Sequence, residues 1–268
     1  MDIATLFGLV LAIGSLILSF VADGGTLSAL AQAPAALIVF GGTIGATLTS
    51  VSLRQFMGVG KQLKIAFFQR RSNPLQLIEE LAELATIARR EGILALDERL
   101  EDFDDDFLRR GLQLVVDGVD PELVKSMLET ELDYVEERHA AAAGLFETAG
   151  GYAPTMGIIG TVMGLVHVLS SLQNVNKLGP EIATAFTATL YGVASANILW
   201  LPIASKLRRR SAEEALLREM TLEGILSIQA GENPNILRQK LKAFLSPHQR
   251  SDKRADKVGE VDGETVEA

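Results

Sequence analysis

Ionisable side chains nearly vanish from two long stretches of this chain. Of Asp, Glu, Lys and Arg, residues 1–53 hold only Asp2 and Asp23, and residues 151–205 only Lys177 and Glu181. Crossing about 30 Å of hydrocarbon takes about 20 mostly apolar residues in a helix. Four segments meet that length: Ile3–Val21, Pro34–Leu53, Gly151–Leu172 and Ile182–Ser205. Nothing in hydrocarbon can satisfy an open backbone group, so each is expected as a closed helix. The first is not a cleavable leader, because it lacks a basic start and a second span follows at once.

The intervening residues 54–149 hold 12 Lys/Arg and 20 Asp/Glu. Their apolar positions recur at helical spacing. Asn73-Pro74 opens a helix carrying Leu77, Ile78, Leu81, Leu84, Ala85 and Ala88, and Gly92 breaks it. Ile93–Glu98 begins a second, shorter helix. Phe107–Val119 predicts a third, and Pro121–Gly144 a fourth that runs almost continuously into span three. Leu207–Leu226 predicts a helix leaving span four, Gly231–Pro234 ends it, and Ile236–Leu245 is a last amphipathic helix. From Ser246 on, the composition predicts disorder.

The expected fold is an all-α integral membrane protein. Four transmembrane helices carry a helical cytoplasmic domain between spans two and three and a cytoplasmic C-terminal helix. The expected division is 1–53 (spans one and two), 54–149 (cytoplasmic domain), 150–205 (spans three and four), 206–245 (C-terminal helices) and 246–268 (tail). Basic residues flank the inner ends: Arg54, Lys61, Lys64, Arg70 and Arg71 after span two, then Lys206, Arg208, Arg209 and Arg210 after span four. By the positive-inside rule both termini and the middle domain face the cytoplasm, and the turns 22–33 and 173–181 face out.

Composition excludes several chemistries. The chain has no cysteine, hence no disulfide and no thiolate. His139, His167 and His248 are too scattered to suggest a metal site. Residues 54–149 show no glycine-rich phosphate loop, and the acidic excess argues against nucleic acid, whose phosphates need a basic surface.

The candidate chemistry lies in spans three and four. Small residues at 153, 157, 160, 161 and 164 would let a neighbouring helix approach closely. Pro154 removes a backbone donor and is expected to kink or start the membrane helix. On span four Thr184, Thr187, Tyr191 and Ser195 form one polar stripe, with Thr189 and Asn197 off it. The stripe is open to two readings: polar glue bonded between helices or back to its own carbonyls, or one wall of a hydrated ion path. No Asp, Glu, Lys or Arg sits in a span core, and proton relays use a titratable group at membrane depth. His167 lies toward the outer end of span three. A proton path here would take its carboxylate from a second polypeptide. In the cytoplasmic domain, Arg89, Arg90 and Glu91 followed by Asp97, Glu98 and Arg99, with the acidic run Glu101, Asp102, Asp104, Asp105 and Asp106, fit either a solvated surface or an electrostatic docking face.

These residues resemble the MotA family of flagellar motor stator subunits, within the wider MotA/TolQ/ExbB proton channel family. The resemblance rests on Ala153–Leu165, on Ala185–Leu207 with Ala188-Thr189-Leu190-Tyr191-Gly192 and Leu201–Leu207, on Ala88–Asp97, and on Gly41-Gly42-Thr43. It covers roughly residues 1–245 and implies a non-enzymatic complex in the bacterial inner membrane. In that family five copies surround a dimer of MotB, a single-span protein whose aspartate carries the permeating ion. The ring then turns and pushes the rotor protein FliG. Carried onto this chain, Thr155, Thr161, Thr189 and Tyr191 belong to the ion path. Pro154 and Pro202 couple conformation, and Arg89, Arg90, Asp97 and Glu98 contact the rotor. No cofactor or resident metal is implied; the ion is H⁺, with Na⁺ the alternative at Thr161 and Thr189. Ala188 stands where sodium-driven members tend to carry a second threonine, which favours protons. ExbB- or TolQ-like energisers and a non-conducting membrane scaffold are the competing readings. Two early spans argue against the former. The joint occurrence of Pro154, the Thr189–Tyr191 region and the Arg90–Glu98 segment argues against the latter.

Overall fold

The computed structural model describes residues 3–60, 63–64, 73–103, 105–170, 172–173 and 175–250. Among them all regular structure is helical. Lys61, Arg70, Arg71, Asp104 and the tail from Ser251 onward lie outside the described residues. Four helices are long and apolar enough to cross a membrane.

The described residues fall into two compact units, each built from two separate stretches. One draws on Met1–Arg70 and Glu137–Ser211, the other on Arg71–Glu136 and Ala212–Ala268. The first contains α1 (Ile3–Ala22), the short α2 (Leu27–Leu30), and span two. Span two is α3 (Ala33–Ala36), a π turn (Leu37–Gly41) and α4 (Gly42–Ser50) in unbroken succession. It stops at Ser50 rather than Leu53, because Val51 is extended. Ser52 then caps α5 (Leu53–Met57): its hydroxyl accepts from Gln55 N–H, and the Gln55 side chain accepts from Ser52 N–H. Both orphan donors at the helix start are thereby satisfied.

α8 (Pro121–Ser170) is one helix of 50 residues and contributes to both units. It passes through Pro154 as continuous helix, so this proline does not start the membrane helix. The domain boundary expected at 149/150 falls inside it. Span four begins at Val175, earlier than Ile182, because Pro180 is accommodated inside α9 (Val175–Ser195). A second π turn (Ala196–Trp200) follows, closed by Leu201 N–H donating to Ala196 O five residues back. α10 (Leu201–Gln229) then carries Pro202 at its second position. A proline there cannot donate to the carbonyl four residues back, and the π turn shifts the ladder just before it.

The second unit is a water-type core. Asn73 accepts from Leu75 N–H at 3.1 Å and, with Pro74, opens α6 (Pro74–Glu91). Gly92 ends it at φ 92, a left-handed conformation that costs other residues energy. The stretch expected as a short α-helix is a 3₁₀ helix, Ile93–Asp102. It buries Leu96 and Leu100 against Ile78, Leu81, Leu84 and Ala85. Asp105 caps α7 (Asp106–Val116), which ends three residues sooner than expected, before a positive-φ Gly118. Gly111 of α7 is approached by Ile225 and Leu128, and Arg218 lies 5.3 Å over the Phe107 ring. Residues from Ala212 on belong to this core through Met220, Ile225, Ile228, Leu237 and Leu241. α11 (Pro234–Lys242), capped by Asn233, is therefore part of the same packed body. Disorder was expected from Ser246, yet Pro247–Arg250 forms a helical turn, α12. Arg250 holds it by donating to Leu245 O at 2.7 Å and Ala243 O at 3.1 Å.

Candidate functional site: the crossing of spans three and four

The membrane parts of α8 and α9 run antiparallel and meet through residues with almost no side chain. A Cβ built on Gly192 would stand 2.6 Å from Ala153 O and 3.0 Å from Gly157 Cα. One on Gly157 would stand 2.9 Å from Ala188 O, and one on Gly164 3.0 Å from Ala185 Cα. Backbones are thus in direct contact along Ala153, Gly157, Gly160 and Gly164 on one helix and Ala185, Ala188 and Gly192 on the other. Small residues permit this approach, which supplies dispersion where lipid removes the hydrophobic drive.

Thr161 and Thr189 hydrogen-bond to each other across this crossing. Thr161 Oγ1 also lies 3.0 Å from Ala185 O and 3.1 Å from Gly157 O, and Thr189 Oγ1 lies 3.4 Å from Gly157 O. Four oxygens from two spans therefore converge, with both threonines half-buried. One hydroxyl donates to the other, which donates to a carbonyl. Lone pairs remain to accept from a protonated carboxyl, and a rotation of either hydroxyl lets it donate to a carboxylate. Ala188, next to Thr189, is buried and brings no oxygen.

The other expected path residues are placed apart from this pair. Thr155 is exposed and donates to Tyr152 O at 2.7 Å. Tyr191 donates to Leu30 O, accepts from Gln32 N–H at 3.3 Å and sets its ring 6.2 Å from that of Phe40. It fastens the α1–α3 connection to span four. The polar stripe takes the glue arrangement. Thr184 donates to Pro180 O at 3.0 Å and approaches Gln32 at 3.3 Å, Thr187 donates to Ala183 O at 2.8 Å, and Ser195 to Gly192 O at 3.1 Å. Its threonine and serine hydroxyls turn back on carbonyls of their own helix, and that of Tyr191 crosses to Leu30. Pro154 is half-buried beside Ala153, and Pro202 is exposed.

Toward the outer end, His167 Nε2 lies 3.5 Å from Glu181 Oε1, a pairing that sequence spacing left unseen because the two residues are on different helices. The π turns also escaped sequence reading; only Pro202 hints at one. The Ser52/Gln55 capping box was available from its S-x-x-Q spacing.

In the second unit, Arg89 and Arg90 end α6, and Asp97 and Glu98 stand on the 3₁₀ helix that folds back on it. The intervening register buries Leu96 and Leu100, so the charged residues face outward. All four are exposed, and among the described residues none has an ion-pair partner.

The chain thus joins four helices long and apolar enough to cross a membrane with a backbone-tight crossing that holds a pair of hydroxyls, the frame of a multi-span membrane protein. Residues 99–220 match the MotA/TolQ/ExbB proton channel family, and residues 6–92 match the motility protein A N-terminal region. Motility protein A of Bacillus subtilis (strain 168) is 39% identical over 93% of this chain and 93% of its own length. The flagellar MotAB stator complex from Bacillus subtilis gives a TM-score of 0.87 at 39% identity, covering 92% of this chain and 98% of that one. C. jejuni MotAB gives 0.89 at 31% identity, covering 94% and 100%. The chain belongs to the motility protein A family.

Proposed function

We infer that this chain is the membrane-embedded stator subunit of a flagellar motor. With a MotB-type partner it forms an ion channel whose flow drives rotation. The observation that carries the mechanism is the Thr161–Thr189 pair inside the span three–four crossing, where the one carboxylate of the two spans, Glu181, lies toward the outer end beside His167.

The partner's helix brings the missing aspartate to these hydroxyls. While charged, the carboxylate accepts from Thr189 and Thr161. Protonation removes its charge from a low-dielectric site, weakens that contact and lets it shift to the next subunit. A ring of identical subunits, five around two partner helices, offers equivalent successive positions. A proton crossing about 150 mV releases about 3.5 kcal/mol from potential alone, so each step is a small rearrangement. Backbone-tight packing through Gly157 and Gly192 suits such a step, since helices without interdigitated side chains shift with little repacking. Pro154 and Pro202 mark where spans three and four flex. We assign H⁺ as the ion because Ala188 supplies no oxygen beside Thr189. The termini and second unit face the cytoplasm of the inner membrane, where Arg89, Arg90, Asp97 and Glu98 engage the rotor protein FliG by charge complementarity.

The test is swimming speed in cells whose only stator is this chain with its partner, with sodium varied at constant ionic strength and a protonophore then added. Speed indifferent to sodium and abolished by the protonophore is expected. Speed that tracks sodium and survives the protonophore would overturn the proton assignment.

A further inference from the structure

The seam of small residues between spans three and four ends, on its outer side, in a pair of titratable side chains. Cβ atoms built on Gly157, Gly160 and Gly164 of α8 would meet Ala188 O, Ala188 Cβ and Ala185 Cα of α9 in turn. His167 and Glu181 are the next rung of that ladder, with Nε2 3.5 Å from Oε1. Positions three and four apart are neighbours on a helix surface. Gly164 and His167 are so related on α8, and Ala185 and Glu181 on α9. Glu181, Ala185 and Thr189 therefore form one row along α9. Thr189 stands about two turns inward of Glu181, roughly 12 Å at 1.5 Å per residue.

The two side chains of the pair face different surroundings. That of His167 is 68% exposed and that of Glu181 only 18%. Glu181 Oε2 is buried, and no hydrogen bond reaches it among the described residues. A carboxylate oxygen without a donor, away from water, costs free energy that a bound proton or a cationic neighbour offsets. Histidine is the side chain whose ordinary charge change falls between about pH 5 and 8. The outward member can thus take a proton from water, and the inward member has an acceptor open to receive it.

Other charges at this end are few. α9 packs against α2 and α3, and neither carries an ionisable side chain. Asp23 is exposed in the connection after α1. Lys177 lies one turn before Glu181 on α9, and its side chain is outside the described residues. The connection 171–174 holds no ionisable residue.

We propose that His167 and Glu181 form a proton-collecting site at the outer mouth of the ion path, which loads from external water and passes one proton inward to the partner's carboxylate at Thr161 and Thr189. The proposal rests on the proton-driven stator reading above. A hydronium gives its proton to the His167 imidazole, and the resulting positive charge faces Glu181 Oε1. The imidazolium then returns to neutral imidazole as the proton moves to the Glu181 carboxylate. The carboxyl releases it through water to the partner's carboxylate, and both side chains end as they began. Titratable groups placed along membrane helices serve proton relays in this way.

The test compares wild type, His167→Gln and Glu181→Gln in cells with no other stator, each checked for membrane level and for co-purification with the partner. Rotation of a small bead on the flagellar hook is followed at low load while external pH is stepped between about 5 and 8, the span over which imidazoles titrate. Each step is repeated with added PIPES, a buffer that titrates in the same range and does not cross the membrane. Both variants should match wild type at the acid end. At the alkaline end, where free protons are scarce, they should run severalfold slower than wild type, and PIPES should restore much of the loss. Should Glu181→Gln fail to assemble, His167→Gln carries the test, because its side chain is exposed. Variants that keep wild-type speed across the range would overturn the proposal. So would slowing that is equal at every pH and indifferent to PIPES, as a purely structural tie between the helix ends would give. A protonophore added to wild type separates this proposal from the reading beneath it. Rotation that survives the protonophore overturns proton drive itself, whereas pH-indifferent variants of a protonophore-sensitive motor overturn only the collecting site.

Discussion

The two units of this chain solve helix packing in opposite ways. The second unit buries large side chains: Ile78, Leu81, Leu96, Leu112, Leu128, Met220 and Ile225 are fully enclosed. Its surface carries Arg110–Glu131 and Arg218–Glu214 ion pairs, which at such exposure contribute little. The first unit turns large side chains outward. Leu6, Phe7, Ile158, Val162, Met163, Phe186 and Val193 are exposed, and its central crossing is made by Ala and Gly. Water drives the first kind of packing. Lipid offers no such drive, so close backbone contact must supply the attraction. The leucine core suits a rigid lever, and the glycine crossing suits spans that slide.

That contrast can be broken most severely at the crossing. Gly192→Val forces a Cβ to within 2.6 Å of Ala153 O, a backbone atom that no side-chain rotation can take out of the way. Loss of complex assembly and of motility is expected, read by co-purification with the partner and by swimming. Gly8→Val, with nothing within 4 Å, should swim like the wild type. Leu81→Ala tests the other kind of packing. It should cost about 2–5 kcal/mol of stability by the usual core-truncation range, seen as a lower unfolding midpoint of the complex with partner binding retained. Arg90→Glu or Glu98→Lys should leave stability within about 0.5 kcal/mol, as exposed substitutions do. Both should lower motor torque while membrane levels stay normal, measured with tethered cells.

The smallest effect is a pH dependence. The Lys240 ammonium is hydrogen-bonded by Glu223, which, with Glu232 at 3.4 Å, holds its pKa above the ordinary 10.5 despite partial burial. A raised lysine pKa stabilises the folded state fully at pH below 10.5, and this is lost as pH climbs through the folded value. Lys240→Met should therefore lower the unfolding midpoint slightly at neutral pH and erase its alkaline fall.

Much of this was legible in the sequence. The spans were readable because charge is excluded from hydrocarbon, and α6 because Asn73-Pro74 and Gly92 punctuate a clean apolar period. The small residues of span three announced a close neighbour. The identity of that neighbour was not legible, since Gly157 meets Gly192 only through the fold. The Thr184–Ser195 stripe had two readings, and only geometry shows hydroxyls turned back on their own carbonyls. Tyr191 was grouped with Thr189 in the ion path by resemblance, yet positions two apart on a helix point to opposite sides, and its hydroxyl reaches Leu30 instead. The 3₁₀ form of Ile93–Asp102 and the two π turns depend on how the chain is pinned at both ends, which local propensity does not encode.

If the Thr161–Thr189 pair, rather than the neighbouring hydroxyls, meets the partner's ion-carrying carboxylate, its loss must show in the motor itself. The most direct measurement is the rotation rate of single motors driven only by Thr189→Val or by Thr155→Val stators at matched membrane levels. Thr189→Val is expected to slow or stop rotation while Thr155→Val, whose hydroxyl donates only to Tyr152 O, turns near the wild-type rate. Equal rates in the two variants, or a slower Thr155→Val motor, would contradict it.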